Sequence, residues 1–99
     1  MTINIQYVKM PNSDAMNEYV TGKLQKLSKK YEWVISANVF FKLDKDPAGV
    51  DKICEIELSA PGPRIFASSK EKNFEIAVKE TISDLQKQLK KRKSIFSTH

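Results

Sequence analysis

Residues that carry chemistry are scarce in this sequence of 99 amino acids: one cysteine, Cys54, and one histidine, His99. A lone cysteine closes no internal disulfide and builds no multi-cysteine zinc framework. A lone terminal histidine supplies neither a histidine-based triad nor a metal cluster. With three glycines there is no GxxxxGK[ST] or GxGxxG loop to cradle a phosphate. No apolar run exceeds three residues, as in Trp33-Val34-Ile35 and Val39-Phe40-Phe41, against the roughly 20 that a membrane-spanning helix needs. The start, Met1-Thr2-Ile3-Asn4-Ile5, lacks both a basic segment and an apolar stretch, so no secretory signal is expected. These absences point to a reducing cytoplasm, with no cofactor, no metal, no membrane and no small-molecule substrate.

What is present suits one folded domain over residues 1–99. Hydrophobic residues make up 40% and charged residues 29%, too apolar for a disordered tail and too short for a second core. Cys54 sits in an alternating strand pattern without an adjacent basic residue to activate it, which reads as a buried structural thiol. Glu55 and Glu57, two apart on a strand, face the same way. Pairing with lysines such as Lys42 accounts for them better than acid–base work, which needs a water-excluded cleft. The expectation is a binding module and not an enzyme.

Residues 2–8 alternate as a half-buried strand, and Pro11-Asn12-Ser13 breaks it. Ser13 suits a helix N-cap and Asp14 the positive end of a helix dipole. Met16, Tyr19, Val20, Leu24, Leu27 and Tyr31 then form one helical stripe, running to about Lys30. Gly22 inside it costs about 1 kcal/mol relative to alanine, which suggests close packing or a partner's approach. Strands are predicted over residues 37–43, 52–60 and 64–68, separated by a loop over 44–49 and a tight Pro61-Gly62-Pro63 turn. A second helix begins near Asn73, its stripe being Phe74, Val78, Ile82, Leu85 and Leu89, and residues 94–99 are expected to fray. One of the adjacent Phe40 and Phe41 must face away from the helices, and Phe66 is a second aromatic for an open sheet face. The order β-α-β-β-β-α gives an α+β fold: a two-layer sandwich, a four-stranded sheet with both helices on one face. The first strand pairs in parallel through a right-handed crossover, and the others form an antiparallel meander.

The net charge of +5 is unevenly placed. Residues 85–99 carry Lys87, Lys90, Lys91, Arg92 and Lys93 with no acid, so the rest of the chain is balanced. Within that rest, Lys23, Lys26, Lys29 and Lys30 form a second acid-free block. One such run is an ordinary solvated face. Two in one small domain build a local positive potential suited to an anionic partner, nucleic acid above all.

Tyr19-Val20-Thr21-Gly22-Lys23-Leu24-Gln25-Lys26-Leu27, Ile65-Phe66-Ala67-Ser68 and Leu85-Gln86-Lys87-Gln88-Leu89-Lys90-Lys91-Arg92-Lys93 together resemble the ribosome hibernation-promoting factors. That family includes ribosome-associated inhibitor A and was once described as sigma-54 modulation proteins. The resemblance covers nearly the whole chain in element order and spacing. It implies a short-form member without a C-terminal dimerisation domain; the free protein is expected to be a monomer. It implies binding to ribosomal RNA of the small subunit, in the channel of messenger and transfer RNA, under stress or in stationary phase. The RNA-binding candidates are then Lys23, Lys26, Lys29, Lys30, Lys87, Lys90, Lys91, Arg92 and Lys93. The chain departs from the family pattern at Asn73 and Glu75, where the second helix starts, and at Lys79 and Asp84, which bears on contacts near the middle of that helix. A competing reading is a protein–protein regulatory module, docking through an apolar patch on the open sheet face with its lysines dispersed.

Overall fold

The structure, a computed structural model, describes residues 1–96. Strand β1 (Thr2–Tyr7) is followed by helix α1 (Asp14–Lys30), strands β2 (Ser36–Asp46), β3 (Gly49–Ser59) and β4 (Ile65–Glu71), and helix α2 (Phe74–Phe96). The sheet order is β1-β2-β3-β4, with β1 parallel to β2 and the remaining pairs antiparallel. The α+β order and sheet arrangement predicted from the sequence are those found.

Register explains the two faces. Ile5, Val39, Ile56 and Ala67 stand in one row across the sheet, and Gln6, Phe40, Glu55 and Ser68 in the next. The first row is covered by the helices and the second faces away, because successive side chains alternate. Phe41 is therefore fully buried while Phe40 lies on the open face beside Lys42, and Phe66 on that face is 52% exposed. Val20, Leu24 and Leu27 of α1 and Val78, Leu85 and Leu89 of α2 close the core. Ser13 caps α1, its hydroxyl accepting from the Met16 amide at 3.3 Å. Asn73 caps α2, its Oδ1 accepting from the Glu75 amide at 2.7 Å. Thr81, the buried polar residue among the described residues, donates to the Ala77 carbonyl at 2.8 Å. No described helix is long and apolar enough to cross a membrane.

Three local expectations are corrected. Residues 44–49 are not a loop: β2 and β3 continue through them in register to Asp46 opposite Gly49, leaving Pro47 and Ala48 as the turn. Asp46 Oδ1 accepts from the Ala48 amide at 2.8 Å, and Gly49 has φ +145°, a backbone shape reserved for glycine. Ion pairs Asp44–Lys70 and Asp51–Lys72 support the hairpin and carry β4 on to Glu71. Secondly, α2 does not fray at residue 94 but runs to Phe96, whose ring meets Trp33 edge-on at 5.1 Å. Residues 97–99, and with them His99, lie outside the described residues. Thirdly, Gly22 serves no close packing, since a methyl group added there would meet nothing within 4 Å.

Candidate nucleic-acid interface

Lys23, Lys26 and Lys30 recur at helical spacing on the flank of α1 that turns towards α2. They line a shallow groove with Leu27 of their own helix and Ile82 and Gln86 of α2. The groove continues into a second depression lined by Lys30, Tyr31, Ser83, Gln86, Lys87 and Lys90. Lys30 and Gln86 belong to both stretches, so lysines from the two sequence blocks border one continuous cleft between the helices.

Lys23, Lys30 and Lys93 lie over aromatic ring faces. The Lys23 ammonium lies 5.4 Å from the centre of the Tyr19 ring, and those of Lys30 and Lys93 lie 5.6 and 5.9 Å from that of Tyr31. Among the described residues, no carboxylate comes within ion-pair distance of Lys23, Lys26, Lys30, Lys87 or Lys90. Among the described residues, Lys42–Glu55, Arg64–Glu57, Asp44–Lys70 and Asp51–Lys72 pair on strands or their flanking turns. Carboxylates are thus engaged on the sheet, and none engages the five lysines that line the cleft. A helical cleft with several unpaired ammonium groups presents point charges to an anionic backbone.

The remaining candidates lie elsewhere. Lys29 borders a depression with Met1, Gln25 and Ser28. Lys91 and Arg92 sit on the β4 side of α2, with Ile65, Gln88 and Ile95. Arg92 donates from Nη1 to the carbonyls of Pro61 and Pro63, at 3.2 and 2.6 Å. Gln86 and Tyr31 line the cleft but were not singled out from the sequence. Gln86 stands four residues before Lys90, one helical turn away on the same flank, and that spacing was the available signal.

Other chemistry is sparse. Cys54 is fully buried, and burial pushes its thiol up to about 12 from the ordinary 9.0. That keeps it protonated and unreactive. Glu55 and Glu57 are engaged by Lys42 and Arg64, each at 2.7 Å. No cluster of three or more potential metal ligands occurs among the described residues.

Comparison with known proteins assigns the chain to a family. The chain is 27% identical over 99 residues to a ribosome hibernation promoting factor from Klebsiella oxytoca, each chain being covered in full. It is 28% identical to the factor of that name from Salmonella typhimurium, again over the full length of both. Its fold superposes on a ribosomal subunit interface protein from Coxiella burnetii with a TM-score of 0.85, at 22% identity, covering 95% of this chain and 99% of that one. The N-terminal domain of Thermus thermophilus Protein Y gives a TM-score of 0.79 at 22% identity, over 92% of this chain and 98% of that one. Residues 3–95 match the family described as Sigma 54 modulation protein / S30EA ribosomal protein, and the chain belongs to that family of ribosome-associated factors.

Proposed function

We propose that this protein inhibits translation by occupying the small ribosomal subunit, laying the cleft between α1 and α2 on ribosomal RNA where messenger and transfer RNA would pass. The single observation that carries this reading is the convergence of Lys23, Lys26 and Lys30 with Lys87 and Lys90, distant in sequence, on one cleft, with no carboxylate at ion-pair distance from these five among the described residues. The full-length relatives named as ribosome hibernation promoting factors support it. Phosphate contacts dominate, because fifteen lysines against two arginines favour point-charge attraction over planar base recognition. The protein acts in the cytoplasm as a monomer, in stress or stationary phase, stabilising inactive ribosomes, and its effect needs no catalysis. The regulatory-module alternative is less well supported: the open sheet face carries ion pairs among its aromatics, and the helical lysines are gathered rather than dispersed.

Inhibition by occupancy is reversible and stoichiometric. Titrating the protein into a translation reaction is expected to give an equivalence point near one per small subunit, with activity restored by excess initiation components. Inhibition far below stoichiometry, or persisting after the protein is removed, contradicts the reading.

A further inference from the structure

The basic run that ends α2 is not chemically uniform. Lys87 and Lys90 border the cleft towards α1, and the Lys93 ammonium reaches the face of Tyr31 on the same side. Arg92 turns the other way. Its Nη1 donates to two main-chain carbonyls, Pro61 at 3.2 Å and Pro63 at 2.6 Å, on either side of Gly62. Gly62 has φ +95°, and the Arg92 Nη1 and Cζ lie 3.6 and 3.7 Å from the point where a Cβ would stand. The guanidinium therefore covers the turn that joins β3 to β4. A charged donor to a carbonyl makes a stronger hydrogen bond than a neutral one. Both contacts use Nη1, so a phosphate drawing on that nitrogen would have to share or break them, while Nε and Nη2 carry the remaining three N–H groups.

The position of this contact along the helix gives it a purpose. Leu89 is the last fully buried residue of α2, and the helix continues for seven residues beyond it to Phe96. Core packing does not hold that extension, and isolated helical turns are marginal in water. Its contacts with the rest of the fold include Arg92 against the Pro61–Pro63 turn, Lys93 over the Tyr31 ring, and Phe96 against Trp33, 5.1 Å between ring centres.

We infer that Arg92 is a positioning residue, a clamp that fixes the basic end of α2 so that Lys90 and Lys93 face the cleft, and not a phosphate contact itself. This rests on the proposed ribosome-binding cleft. Its own structural part is readable without ribosomes.

The test compares Arg92→Gln, Arg92→Lys and Lys90→Gln in the full chain. Hydrogen exchange of the free proteins is followed at the amides of residues 90–96, and binding to purified small ribosomal subunits is measured over a series of salt concentrations. Arg92→Gln is expected to lose protection at residues 90–96 and to weaken binding, yet to leave the dependence of log affinity on log salt at the native slope. Lys90→Gln is expected to keep the protection and to reduce the slope by about one, as for one phosphate contact removed. Arg92→Lys keeps the charge on a side chain one bond shorter. It is expected to lose protection and affinity in the same sense as Arg92→Gln. The double variant Arg92→Gln/Lys90→Gln is expected to lose about the sum of the two, because Lys90 makes its contact in the complex in either background and Arg92→Gln adds only the cost of ordering the helix end. Native protection in Arg92→Gln overturns the clamp, whatever the binding result. A slope reduced by about one in Arg92→Gln together with native affinity in Arg92→Lys overturns it in favour of direct contact. If the native protein fails to bind small subunits, the proposed function falls, while the exchange result still decides whether Arg92 holds the helix end.

Discussion

The Lys93 ammonium lies 5.9 Å from the centre of the Tyr31 ring, so the last turns of α2 reach the residue that caps α1. Lys30 approaches the same ring at 5.6 Å. Tyr31 is buried and cannot withdraw, so the two positive helix ends converge on a fixed point. A cation over a ring face gains about 0.5–1 kcal/mol at an exposed site, part of what gathering like charges costs. The result is a basic cleft whose parts are close enough to act together.

Joint action has a direct consequence. Replacing Lys23, Lys26 and Lys30 by glutamate is expected to abolish binding to small ribosomal subunits while circular dichroism and melting temperature stay near native. Replacing Lys87 and Lys90 by glutamate is expected to do the same. Lys26, Lys30, Lys87 and Lys90 are exposed and Lys23 is half-buried outside the core, so the fold does not depend on them. Strong binding after loss of either block means the cleft is not one site.

Gly22 lies within α1, where a methyl group would meet nothing within 4 Å. Gly22→Ala is therefore expected to stabilise the free protein by about 0.5–1 kcal/mol, through reduced backbone entropy of the unfolded chain and better helix propensity. That corresponds to a rise in melting temperature of about 4–8 °C per kcal/mol for a domain this size. A fall in melting temperature in calorimetry contradicts this account of the position.

Cys54 gives stability a pH dependence. Its folded value of about 12 stands above the ordinary 9.0, the cause being burial. Below the lower value both folded and unfolded chains hold the proton, and the stabilising contribution is complete. Between the two, the unfolded chain releases a proton that the folded chain keeps, so the contribution is lost as pH rises, by about 1.4 kcal/mol per pH unit. Denaturant midpoints are expected to fall over this window, and to fall less steeply in Cys54→Ala. Parallel curves for the two proteins contradict the assignment.

The fold was legible wherever one residue's neighbours along the chain determine its state. The alternation of Cys54, Ile56 and Leu58 and the stripe from Phe74 to Leu89 report burial directly, since each face repeats at a fixed spacing. Asp44 to Gly49 misled because Asp, Pro and Gly favour loops, while the strands there are supported by Lys70 of β4 and Lys72 just beyond it, remote in sequence. The end of α2 misled for a similar reason: its supports are the turn at Pro61–Pro63 and Trp33, invisible from local spacing. The clustering of lysines was legible as composition. Which of them border the cleft was not, because the rotation of α1 against α2 is set by packing. Lys29 and Arg92, adjacent in sequence to cleft residues, point elsewhere for that reason.

The central claim is that the cleft between α1 and α2 holds ribosomal RNA by its phosphates. The most direct measurement is the affinity of the protein for purified small ribosomal subunits as a function of salt, in the native protein, in Lys26→Gln, and in Glu55→Gln on the open sheet face. The native affinity is expected to fall linearly on logarithmic axes with a slope of several units, and Lys26→Gln to reduce that slope by about one. Glu55→Gln, which raises the net charge away from the cleft, is expected to leave it unchanged. A salt-insensitive interaction, or a Glu55→Gln effect equal in size to that of Lys26→Gln, contradicts the claim.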